Sequence, residues 1–263
     1  MRQRVLVLPV LLSIAIAASG GDPALEAQRT TLAVAAASDL QAVMPPLVTQ
    51  FERDTGIGAK VSFGSSGNFF AQIQNGAPYD VFFSADVDYP RRLVSSGHAE
   101  KDSLFEYATG HLVVWTRADS GIDVQKGLSI VADDRVRRIA IANPEFAPYG
   151  RAAVAALQHE QLYDRVKDKL VKGDNISQAA QFAETGNAQV GLLSLSLALG
   201  PALEGGKYVQ VPTTFHPPIQ QAAVVLTASK DKASARQLLM YLRRPGTAKL
   251  LQRFGFATPG PGK

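Results

Sequence analysis

Short apolar runs, each too brief to make a helix, alternate along this chain with longer stretches in which apolar residues recur at helical spacing. Residues 32–37 make the first run, 40–51 carry the helical pattern and 59–63 make the next run, which together read as a βαβ unit. A helix over 68–74, a strand over 81–83 and a helix over 88–95 continue the series, so the pattern predicts a parallel sheet covered by helices. The alternation then starts afresh, with a strand at 138–142, a helix at 150–159, and further elements at 169–172, 176–183 and 189–193. Two extended stretches are placed to link the halves: 109–116, and 219–227 entered from the proline-rich 212–218. Two crossings return the chain to its first half, where helices over 231–243 and 245–254 would pack. The expectation is an α/β chain of two lobes, each a mostly parallel sheet flanked by helices, with a cleft between them that can close about a hinge. Residues 29–111 would begin lobe one, 112–222 would form an inserted lobe two, and 223–263 would complete lobe one.

The first 28 residues read differently. Arg2 and Arg4 precede an apolar stretch at 5–18, followed by small residues, which is the layout of a secretory signal peptide. That stretch is too short for a stable transmembrane helix, and no later segment has the length to cross a bilayer. The chain has no cysteine. A lipid anchor at a processed N-terminus is thereby excluded, and the core must stand without disulfides. A freely diffusing periplasmic protein is the natural expectation. Of 263 residues, 46% are hydrophobic and 19% charged, which excludes disordered classes. The net charge of +4 is scattered, with no basic run longer than a pair such as Arg137-Arg138, so no nucleic-acid partner is expected.

Chemistry concentrates where the strands end. The first strand runs into Ala37-Ser38-Asp39-Leu40, a hydroxyl and an acidic residue at a strand-to-helix turn. The second runs into Phe63-Gly64-Ser65-Ser66-Gly67, whose glycines let the backbone approach a ligand closely. Each turn alone is an ordinary cap or loop. Placed after consecutive parallel strands, both face the carboxyl edge of the sheet, where open α/β folds bind ligands. In the second half, Asn143-Pro144 through Tyr149-Gly150 and Gly173-Asp174-Asn175-Ile176 open two more helices. Their first-turn N–H groups would make four helix N-termini converge on the crevice.

These motifs, with Gly76 through Asp86 and Arg253-Phe254-Gly255-Phe256, resemble the periplasmic molybdate-binding proteins of bacterial ABC uptake systems, over about residues 32–256. The resemblance implies a two-lobe periplasmic binding protein fold with an oxyanion in the cleft. It implies a site of neutral donors: the Ser38 hydroxyl, the Ser66 hydroxyl and N–H, and the N–H groups of Tyr149 and Ile176. Some members add a tyrosine hydroxyl at the strand end that here reads Gly191-Leu192-Leu193-Ser194, so Ser194 or the Asp39 N–H would substitute. The implied ligand is molybdate or tungstate, passed by a monomer to a membrane permease, with no cofactor and no catalysis. Sulfate, thiosulfate or another small anion is the alternative ligand.

A periplasmic hydrolase is the remaining rival and is poorly met. Gly64-Ser65-Ser66-Gly67-Asn68 lacks the glycine a nucleophile elbow requires, and no histidine or carboxylate stands in a recognisable relation to either serine. Asp80, Asp86 and Asp88 read as turn and helix caps, with no metal expected on them. The four histidines are dispersed, and Trp115, Phe82 and Phe83 read as core.

Overall fold

A computed structural model describes residues 31–258, so the expected leader lies outside the described residues. The first lobe is built on β1 (Thr31–Ala37), β2 (Gly58–Gly64) and β3 (Val81–Ser84), with α1 (Met44–Thr55), α2 (Ser66–Gln74) and α3 (Asp88–Ser95) between and after them. Alternate residues of the central strands enter different cores. Leu32, Val34, Ala36 and Phe83 join the cluster on one face, while Ala35 and Phe82 join the cluster on the other. A sheet buried on both faces needs this unbroken apolar run, and the small alanines let helices lie close over it.

β4 (Phe105–Gly110) ends the first pass through lobe one, and β5 (Leu112–Arg117) begins lobe two two residues later. There β6 (Ile139–Ala142), α4 (Pro148–His159), α5 (Tyr163–Val166), β7 (Leu170–Gly173), α6 (Ile176–Glu184), β8 (Val190–Ser194), α7 (Leu195–Ala198) and β9 (Gly206–Gln210) follow in order. Trp115, Ile139 and Ile141 lie in its single core. The chain returns through β10 (Ile219–Val225) and closes with α8 (Lys232–Leu242) and α9 (Pro245–Arg253).

The two sheets share one plan. Their strand orders are β2-β1-β3-β10-β4 and β7-β6-β8-β5-β9. β10 runs antiparallel to both its neighbours, and so does β5. Each lobe therefore has one reversed strand, and in each it is the strand by which the chain arrives from the other lobe. The return to the first sheet begins at Ile219, which pairs with Gly110, four residues ahead of the boundary expected at 223.

The helix expected from residue 40 starts later. Residues Ser38–Leu40 form a single 3-10 turn, and α1 begins at Met44 with Pro45 and Pro46 in its first turn. Proline lacks an N–H and is tolerated only at a helix start, so this pair fixes where α1 can begin. Three α-helix N-termini and one 3-10 turn, rather than four helices, therefore face the cleft.

The return helix is held by apolar and ionic contacts together. Ala235, Leu238 and Leu239 of α8 enter the first lobe's core. Beside them Glu100 accepts from Lys232 at 2.8 Å and from Arg236, whose guanidinium also reaches Asp102 at 2.9 Å. These cations hold the Glu100 carboxyl below its ordinary range.

Candidate functional site

The turns that follow β1, β2, β6 and β7 meet around one small cavity of about 10 Å³. Ser38, Asp39 and Ser66 line it from the first lobe, and Tyr149 and Ile176 line it from the second. No lysine, arginine or histidine is among the lining residues. Ser194 is not brought there. Its Oγ caps α7 instead, accepting from the Leu197 N–H at 3.4 Å, with the Ser196 hydroxyl 3.1 Å away.

Each main-chain donor is free for a local reason. Ser66 is the first residue of α2 and Ile176 the first of α6, so neither N–H has an acceptor within its helix. In α4 the leading residue is Pro148, which has no N–H, and the Tyr149 N–H becomes the first available. The Ser66 Oγ accepts from the Ala85 N–H at 3.0 Å, which fixes the oxygen and leaves its hydrogen to donate. Ser38 reaches across the cleft, where its hydroxyl donates to Asn175 Oδ1 at 3.2 Å. That same oxygen caps α6 by accepting from the Ser177 and Gln178 N–H groups at 3.0 and 3.1 Å. The sequence places Asn175 at this helix start through its N–H alone; its side chain is the cap and the partner of Ser38.

Further contacts bind lobe to lobe at the rim. The Gly67 N–H donates to the Phe146 carbonyl at 2.9 Å. A Cβ at Gly67 would stand 2.7 Å from that carbonyl oxygen and 2.8 Å from the Tyr89 hydroxyl, so only glycine permits this approach. Alongside, Arg151 of α4 pairs with Asp86 of the first lobe and donates to the Tyr89 hydroxyl at 3.3 Å. Arg151 stays at this rim and outside the small cavity. The neighbouring acids do turn work: Asp86 also accepts from the Asp88 N–H at 2.9 Å, and Asp80 accepts from the Ala33 N–H and the Ser229 hydroxyl, each at 2.7 Å. Among the described residues no cluster of three or more histidines and carboxylates could hold a metal.

Asp39 departs from the capping role read for it. Its carboxyl is fully buried, and Gln221 Nε2 donates to Oδ2 at 2.5 Å. Gln221 in turn accepts from the Tyr107 hydroxyl at 2.7 Å and lies 3.4 Å from the Tyr149 hydroxyl. Oδ1 has no hydrogen-bond partner. Burial pushes the carboxyl up to about 7, against the opposing hydrogen bonds from Gln221 and Tyr149. The two tyrosines are raised well above their ordinary value, first by burial and then by the charge on Asp39. A Cβ at Gly110 would stand 2.1 Å from the Tyr149 hydroxyl, so the crossing itself is shaped to admit this network. The sequence signal for it was Gln221, a polar residue at a core-facing position of the apolar run 219–225.

Known proteins share this arrangement of chain. The profile described as "Bacterial extracellular solute-binding protein" matches residues 32–257. The molybdate-binding protein ModA of Azotobacter vinelandii is 39% identical over 244 residues, which cover 92% of this chain and 96% of that one. The molybdate-binding protein ModA of Rhodobacter capsulatus is 39% identical over 208 residues, covering 79% and 81%. The solved structure of the Azotobacter vinelandii periplasmic molybdate-binding protein superposes with a TM-score of 0.82 at 34% identity, covering 87% of this chain and all of that one.

Proposed function

The chain belongs to the bacterial extracellular solute-binding proteins, and from that premise we propose that it captures molybdate between its lobes and delivers it to an ABC importer. It is a binding protein and not an enzyme. The observation that carries the reading is the meeting of first-lobe hydroxyls with second-lobe helix-start amides around a cavity that no cationic side chain enters. Ser38, Ser66, Tyr149 and Ile176 are the proposed donors, and the Asp39 N–H is proposed as the fifth.

Specificity follows from the donor chemistry. Molybdate, tungstate and sulfate are dianions without protons near neutral pH, so a ring of donors satisfies every oxygen. Phosphate arrives with a proton that needs an acceptor, and an unpaired buried donor costs about 1–3 kcal/mol. Sulfate is rejected by size, since a ring fitted to a metal oxyanion holds the smaller tetrahedron too far from several donors. Tungstate, close to molybdate in size, is expected to bind alongside it. The spread of charge over three helix N-termini and several charge-assisted hydrogen bonds makes a buried dianion tolerable without a countercharge.

The leader-like N-terminal sequence supports a periplasmic site of action, and a membrane permease is the partner the family role requires. A monomer suffices, because both halves of the site come from one chain. A hydrolase reading finds no support: the Ser66 Oγ is held by a main-chain N–H and the Ser38 hydroxyl by Asn175, with no general base on either. Thermal melting tests the proposal. Molybdate and tungstate should raise the melting temperature and phosphate should not, as linkage to the folded state requires. Absence of a shift with millimolar molybdate would remove it.

A further inference from the structure

We propose that Asp39 is a proton-binding group coupled to the anion site, so that each oxyanion captured brings one proton from solvent onto the buried carboxyl. This deepens the oxyanion reading and rests on it. Asp39 is adjacent in sequence to Ser38 and lines the same cavity. Its carboxyl is buried with one oxygen on Gln221 and the other without a partner. A dianion and a carboxylate enclosed together without a cation repel each other strongly in a medium of low effective dielectric constant. A proton on Oδ1 removes that repulsion.

The surroundings supply no other remedy. The titratable groups that face Asp39 are Tyr107 from β4 and Tyr149 from α4, both kept in the neutral form by burial. β10 brings the uncharged Gln221, and α7 brings Ser196, whose hydroxyl donates to the Asp39 carbonyl at 2.7 Å. No lysine, arginine or histidine is among the groups that act on the carboxyl. Within the closed lobes burial pushes this carboxyl up to about 7, so around neutral pH it stands between two charge states. The bound anion drives it to the neutral side. The transfer is a simple acid–base step: a buffer acid gives up H⁺, an O–H bond forms at Asp39, and nothing else changes hands. Because binding and protonation are linked, affinity must fall as pH rises above the free group's titration.

Isothermal titration calorimetry of the mature chain with sodium molybdate, in Tris and in HEPES, counts the protons from the difference in buffer ionisation heat. Uptake should rise from near zero at pH 6 to about one per molybdate at pH 8.5, with affinity falling nearly tenfold per pH unit above about 7. Asp39→Asn should take up none and hold one affinity across that range. Molybdate binding by the wild type with no proton uptake at pH 8.5, or uptake unchanged in Asp39→Asn, would overturn the coupling while leaving the function in place. No molybdate binding at any pH would overturn both. The wild-type proton count decides the matter even if the variant does not fold.

Discussion

Ser66 works at two ends of one oxygen: it accepts from the Ala85 N–H and keeps its hydrogen for the cavity, while its own N–H opens α2. Ser66→Ala removes the hydroxyl and should weaken molybdate binding by about 1.5–3 kcal/mol, the worth of a hydrogen bond to a charged group, read as the change in Kd by calorimetry. Ser38→Ala should lose less than a full contact, because the Ser38 hydroxyl must give up Asn175 Oδ1 to reach the anion. Asp39 bears on stability as well. Its folded titration at about 7 lies above the ordinary 3.8, so its stabilising contribution is present below 3.8 and lost as pH rises through about 7. Ligand-free Asp39→Asn should therefore match the wild type near pH 4 and be more stable above pH 7, by an amount on the order of a few kcal/mol, measured by denaturant unfolding. The two serines were legible in the sequence because strand-end turns rich in hydroxyls and glycine have few other uses in such series. The Asp39 carboxyl was not, since its partners Tyr107 and Gln221 lie on strands 68 and 182 positions away, and only the folded sheet brings them together.

At the scale of elements, periodicity located most strands and helices, because a two-sided sheet leaves strands with unbroken apolar runs and helices with a stripe, but it placed nothing at β9, α5 or α7. It missed the start of α1, where local backbone chemistry at Pro45-Pro46 outranks the apolar pattern. The return helix offers a clean test of how lobe one is completed. Leu238 of α8 is 1% exposed, and Leu238→Ala should destabilise by about 2–5 kcal/mol in chemical unfolding. Molybdate affinity under conditions where the variant stays folded should not change, because α8 contributes nothing to the cavity lining. Glu100 adds an acid-sensitive tie to the same helix. Its folded titration is lowered by Lys232 and Arg236, so this support is present above the ordinary carboxylate value and fades as pH falls through the folded one.

The whole molecule is a closed pair of lobes, and closure was the feature least visible in sequence, since no residue announces what it will face across a cleft. Gly67 and Arg151 are two places where closure can be probed without touching the donors. Gly67→Ala puts a methyl against the Phe146 carbonyl of the opposite lobe, and its helix tolerates alanine. Molybdate affinity should fall at least about tenfold, as about 1.4 kcal/mol or more of resistance to closure implies, while small-angle scattering shows the liganded variant remaining expanded. Arg151→Ala removes a rim pair whose side chains are 40% and 25% exposed, and should weaken binding by only about 0.5–1 kcal/mol, with a difference that shrinks as salt is added. The pairing of Gly110 with Ile219 carries a different consequence. The inserted segment enters and leaves at neighbouring positions of one ladder, roughly 5 Å apart. It is thus a cassette with its two ends at a single seam. Recombination could splice in another upper module there, with a different cargo, and leave the hydrogen bonding of the lower sheet undisturbed.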